Sequence, residues 1–269
     1  MFFDDFTKEK IDEISKKVSS LHNLIITDFL KSKDVGMKLD ANSYQSMLFF
    51  INEKIRKYIA DNEENKSTFF LPPFPFPWNP KPQFPPYLLT YEGAQNYLKV
   101  SSKISDTEGL KLSFYSFNLS VFPLLNVSNI CRLIEQIIVI SNSYIEESSS
   151  FEEFCLKMDE VFKSISKELL YYADYFFVKL FYEVYIGSIE LWGSHKIQLK
   201  TSFWEGVKKA WNDYIKPVAI EDGKGAVGGG IGGACAGAIV GGIGAMPGAT
   251  AGAVSCSVAN SIIKSFDYL

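Results

Sequence analysis

Apolar residues recur at three- and four-residue steps along much of this chain. From residue 4 to 34, Phe6, Ile11, Ile14, Val18, Leu21, Ile25 and Phe29 mark one face. Lys, Glu and Asp fill much of the other, so the pattern predicts an amphipathic helix. His22 sits beside the stripe and reads as a boundary residue rather than a ligand, and Gly36 fits a break. A second helix is predicted from Ala41 to about Ala60, capped by Asp40 or Asn42. Tyr44, Met47 or Leu48, Ile51, Ile55 and Tyr58 form its apolar face, and the two segments read as a helical hairpin.

The pattern then breaks at LPPFPFPWNPKPQFPP, residues 71–86, which holds eight of the eleven prolines. Proline removes amide donors and excludes helix, so this segment is extended. Its aromatics, Phe74, Phe76, Trp78 and Phe84, suit a strap lying over an apolar surface of the same chain. A simple linker and a ligand for the aromatic groove of a protein partner are the alternatives. Residues 87–122 give no decisive period; a short helix and a strand or hairpin arm both fit.

Helical periodicity returns from Pro123 to Tyr144, with Pro123 in the first turn and Ile130, Leu133, Ile134, Ile137, Ile138 and Val139 apolar on most sides. Ser148 to Ser150 offer a cap, with Glu152 and Glu153 in the following first turn. The next helix is predicted to run unbroken from Phe151 to about Ile186. Its second half is aromatic nearly all round but carries Asp174, Lys179 and Glu183, which suits a buried bundle helix with a polar strip.

Residues 196–216 form a strongly amphipathic pattern ending at Pro217, with Trp204 and Trp211 on the apolar face. Five lysines against Glu205 and Asp213 give it a net +3. Lys196, Lys200, Trp204, Lys208, Lys209 and Trp211 are therefore candidate membrane-docking residues. The other reading is a surface helix packing both indoles into a soluble core.

The tail is different in kind. Residues 223–264 contain 13 of the 19 glycines, and no charged residue lies between Gly225 and Ile263. Gly225, Gly229, Gly233, Gly237 and Gly241 are spaced four apart; Gly244, Gly248 and Gly252 continue in a new phase. That spacing stacks glycines on one helical face and lets a second helix approach closely. Arms at 226–245 and 249–263 are expected, turning at Met246, Pro247 and Gly248. Each arm carries few large apolar groups, so a single arm inserts into lipid only marginally.

Charge and cysteine content narrow the classes. The formal charge of −4 over 269 residues leaves no basic surface suited to nucleic acid. Four cysteines and two histidines lack the close spacing of a metal site, and no cofactor motif appears. Cys235 and Cys256 are candidates for a disulfide if the tail folds back on itself. The acidic cluster Glu146, Glu147, Glu152, Glu153, Asp159 and Glu160 suits a solvated helix face, so no catalytic residue is nominated. MFFDDFTKEK lacks the features of a secretory signal. A membrane-associated location, or export by a signal-independent route, is expected, with a cytoplasmic location otherwise.

The expected fold is mainly α: a helical bundle with a Pro/Phe strap and a C-terminal glycine-zipper hairpin. Its regions are an N-terminal helical hairpin (1–70), the strap (71–86), a central helical region (87–192), a basic helix with two tryptophans (193–222) and the tail (223–269). GGGIGGACAGAIVGGIGAMPGATAGA resembles the glycine-zipper segments of two-peptide bacteriocins and of poorly characterised bacterial proteins. The resemblance covers about residues 223–263 and implies permeabilisation of, or association within, a lipid membrane. Two alternatives stand beside a membrane-active toxin or bacteriocin-like effector: a soluble interaction protein self-associating through the tail, and an enzyme of unknown class.

Overall fold

The computed structural model describes residues 7–32, 40–55, 57–58, 125–196, 203–238 and 245–266, with a few positions between 90 and 111. The strap at 71–86 and most of 87–122 lie outside the described residues. Among the described residues the chain forms eight principal α-helices: α1 (Lys8–Lys31), α2 (Ala41–Ile55), α3 (Val127–Glu147), α4 (Phe151–Ile165), α5 (Tyr172–Lys196), α6 (Phe203–Ala210), α7 (Lys216–Ala238) and α8 (Ala245–Ser265). No strand occurs among the described residues, and the mainly-α class holds.

Local chemistry sets several helix starts. Thr7 accepts from the Lys10 amide at the start of α1. Asp40 Oδ1 accepts from the amides of Asn42 and Ser43 at the start of α2. Ser150 accepts from the Glu153 amide, while Glu153 accepts from the amide and hydroxyl of Ser149. These side chains satisfy amides that have no partner within a first helical turn. Asn126, rather than Pro123, opens α3 by accepting from the Asn129 amide.

Two predicted helices have different boundaries. The unbroken helix from Phe151 to Ile186 is interrupted by a 3-10 turn at Ser166–Glu168 and extended backbone at Leu169. The interruption lets α5 fold back along α4: Phe162 stacks on Tyr182, and the Tyr182 hydroxyl donates to Asp159. A straight helix would have separated these groups. Conversely, Pro217 does not end the basic helix. A π-helical turn at Trp211–Ile215 precedes it, with the Lys216 amide donating five residues back to Trp211 O. The wider turn accommodates the proline, which has no amide to donate, and the helix continues as α7.

The core is built around α7 and α8, which run antiparallel. Helix α5 lies along α7, α1 packs on α5 and α8, and α2 covers α8. Helices α1 and α5 are parallel and cross-linked by polar bonds. Tyr175 OH donates to Asp12, Ser19 Oγ to Glu183 O, and Asn23 Nδ2 to Gly187 O. Gly187 permits this approach, because a Cβ there would overlap Ser19 Oγ. Asp174 and Lys179 of the polar strip of α5 are also buried, and Glu183 is partly so. Lys179 pairs with Glu183 at 2.7 Å and lies over the Phe162 and Tyr182 rings. Asp174 Oδ1 accepts from the Asn126 amide, and burial raises its carboxyl above the ordinary range.

Candidate functional site

The four-residue glycine spacing becomes a helix–helix contact. Gly225 meets Cys256, Gly229 meets Gly252 and Gly233 meets Gly248. A Cβ at Gly225 would lie 2.6 Å from Cys256 O; at Gly229 and Gly233 it would overlap Gly252 O and Gly248 O. Only hydrogen fits at these crossings, so backbone packs on backbone. Glycines off this seam face α5: a Cβ at Gly223 would lie 2.6 Å from Phe181, and one at Gly230 would lie 3.1 Å from Leu180. Gly237 is on the α7 backbone, whereas Gly241 and Gly244 lie outside the described residues.

The hairpin is longer and shifted relative to the expected arms. Helix α7 begins at Lys216 instead of residue 226, so Glu221, Asp222 and Lys224 are inside it. Helix α8 begins at Ala245, so Met246 to Gly248 belong to its first turns rather than to the connection. Pro247 suits an early helical position, where its missing amide costs little. The same register separates the two candidate disulfide cysteines. Cys256 is level with Gly225, ten residues from Cys235, which is about 15 Å along the axis. A disulfide needs Cα atoms within roughly 7 Å. Both residues are accordingly thiols.

The candidate docking helix turns its tryptophans inward. Trp204 and Trp211 are 4% and 2% exposed. Their indole N–H groups donate to Ser148 O at 2.7 Å and Asn142 Oδ1 at 3.1 Å, respectively. Trp204 also packs on Phe151 and Phe154. Lys209 is exposed and Lys208 is partly so, with its ammonium near Glu146 O and Glu205. Lys196 ends α5 and Lys200 lies outside the described residues. The folded protein therefore does not present the expected Trp-edged membrane face; the amphipathic pattern is used to pack α6 into the bundle.

A buried polar centre at the base of α7 escaped the sequence reading. Four helices supply it: His22 from α1, Ser188 and Trp192 from α5, Asp222 from α7 and Ser261 from α8. Asp222 and His22 are both fully buried, which corrects the boundary position expected for His22. Asp222 Oδ2 accepts from Ser188 Oγ, from Ser261 Oγ at 2.8 Å and from Trp192 Nε1 at 3.4 Å. His22 Nε2 is 3.5 Å from the same oxygen. Burial raises the Asp222 carboxyl to about 8 and lowers the His22 imidazole to about 4. Beside them, Lys224 pairs with Glu221 at 3.2 Å, and Asn260 Nδ2 donates to Glu221 O. The sequence signal was EDGK at 221–224, a charged cluster opening an otherwise apolar glycine helix.

An acid, an imidazole and a hydroxyl meet here, but their order does not suit nucleophilic catalysis. The Ser188 hydroxyl donates to the carboxylate rather than to the imidazole, and Ser188, Asp222 and His22 have no solvent exposure. The arrangement instead ties four helices to one carboxyl group. Among the described residues, no cluster of three or more His, Cys, Asp or Glu side chains is placed to hold a metal ion. Comparison with known proteins finds no matching family model, curated protein or solved structure.

Proposed function

We propose that this is a membrane-active bacterial protein, a toxin or bacteriocin-like effector, that stores its glycine-zipper hairpin inside a helical sheath. The carrying observation is the α7–α8 seam, packed backbone to backbone, with no charged residue between Gly225 and Ile263, and covered by α1, α2 and α5. Among the described residues, no helix is long and apolar enough to cross a membrane. Helix α7 carries Lys216, Glu221, Asp222 and Lys224 in its first nine residues, and the glycines and alanines that follow contribute little apolar area. The hairpin therefore enters lipid as a packed pair, with its backbone amides satisfied within each helix. Lys208 and Lys209 attract anionic lipid before opening, and the two indoles become available after it.

Self-association through the tail in water is the second reading. It requires access to the glycine faces, whereas α8 already covers Gly225, Gly229 and Gly233. A soluble scaffold role would thus need the hairpin to open first. The test is flotation with anionic vesicles, followed by proteolysis and dye release, on the full chain. Bound protein should protect peptides from residues 216–265 and release dye. Failure to float, with discrete oligomers in water, replaces the membrane reading by the scaffold one.

A further inference from the structure

The hydrogen bonds around His22 fix where protons reside. Asn23 Nδ2 donates to Gly187 O, so its Oδ1 is the acceptor that faces His22 Nδ1 at 2.9 Å. Nδ1 therefore carries the proton of the neutral imidazole, and Nε2 presents a lone pair. That lone pair faces Asp222 Oδ2 across 3.5 Å, in a site closed to water. Two acceptors cannot face one another there without cost, and neither His22 Nε2 nor Asp222 Oδ1 has a hydrogen-bond partner. The centre is satisfied by one proton, held on the carboxyl group or on Nε2.

We propose that this single proton, shared by Asp222 and His22, is a latch that holds the glycine hairpin in its sheath, and that its loss opens the hairpin. The latch joins α1 to α7, and the remaining donors to Asp222 tie in α5 and α8. Removing the proton leaves an anion facing a lone pair, with no solvent access. The neighbouring charges do not replace it. On α7, Glu221 and Lys224 pair with each other. On α5, His195 stacks edge-on against Trp192, while Glu183 pairs with Lys179. From α8, Asn260 and Ser261 are neutral, and Lys264 is one turn beyond Asn260.

Proton counting gives the direction. In the closed state the pair binds one proton until the Asp222 carboxyl titrates, at about 8. In the opened state the ordinary values are 3.8 for Asp222 and 6.5 for His22. Between about 4 and 6.5 the opened pair also binds one proton, on the imidazole, so opening is insensitive to pH. Between 6.5 and about 8 it binds none, so opening increases as pH rises. The latch is a property of the protein in water; its consequence for lipid rests on the function proposed above.

The test is amide hydrogen exchange of the full chain from pH 4 to 9, corrected for the intrinsic rate. Opening of α7 and α8 should rise about tenfold per pH unit between about 6.5 and 8, the slope for one proton. Asp222→Asn, neutral at every pH, should abolish that slope; a flat wild-type profile or an unchanged Asp222→Asn slope overturns the latch. If Asp222→Asn does not fold, His22→Gln decides. With no imidazole to take the proton on opening, its slope should begin near pH 4, and a window still starting near 6.5 overturns sharing. Flotation with anionic vesicles at pH 6 and 9 separates the two proposals. An intact slope without vesicle binding refutes only the membrane reading, and binding without the slope refutes only the latch.

Discussion

Helices α5 and α7 lie side by side and are both buried, yet they fill space in opposite ways. Helix α5 packs with large rings: Phe176, Phe177, Phe181, Tyr185 and Trp192 are fully buried. Helix α7 packs with its backbone, through Gly225, Gly229 and Gly233 against α8. The first gains from apolar area removed from water, the second from closeness, with little side-chain area to bury. The two also meet, since the Phe181 ring occupies the space beside Gly223. The contrast teaches that burial alone does not define vulnerability. The aromatic helix is damaged by removing atoms, and the glycine helix by adding them.

The largest expected effect is Gly233→Leu or Gly229→Leu. Each places carbon against a backbone carbonyl of α8 that has no rotamer by which to retreat. A loss of roughly 4 kcal/mol or more is expected in denaturant unfolding, at the severe end for single substitutions. A midpoint within error of wild type would break the comparison, because the seam would then not be close-packed. Phe181→Ala is next, with an expected loss of about 3–5 kcal/mol. Combining it with Gly223→Ala sharpens the comparison: the methyl that crowds the ring should cost less once the ring is gone. A double-mutant cycle without coupling between these neighbours would contradict that contact.

Smaller effects are expected at the edge of the bundle. Lys54 and Tyr58 both donate to Asp28, whose carboxyl their bonds hold below the usual range. Lys54→Met should cost at most about 1 kcal/mol, as the pair is partly exposed. Since the Asp28 pKa is lowered on folding, that contribution is present above its ordinary 3.8 and is lost as pH falls through the folded value. The least change is expected from redox. Melting with and without reductant should coincide, because Cys235 and Cys256 are too far apart along the seam to bridge. A reductant-dependent shift would mean the register is different.

Much of the helical layout was legible in sequence. The stripe Ile11, Val18, Leu21, Ile25 and Phe29 is buried on α1 as its period required. Asp40 and Ser150 cap where short polar side chains precede apolar periodicity. What local pattern could not supply was continuity. The break after Ile165 is set by α5 folding back onto α4, and the passage through Pro217 by a π turn. The direction of Trp204 and Trp211 was equally undetermined, because an apolar face packs against a bundle or a bilayer with the same spacing.

The chain by itself determined that its body is helical and that one face of its tail admits close approach. Both follow from period, since side chains three and four residues apart share a helix face and glycine leaves room there. The tertiary structure alone decided that the glycine face is occupied by α8 and that the pair forms the centre of the bundle. It alone decided that His22 of the first helix meets Asp222, 200 residues later, over a distance of 3.5 Å. No local pattern records such a meeting. It arises because four helices converge on one carboxyl group, whose burial and proton depend on all of them.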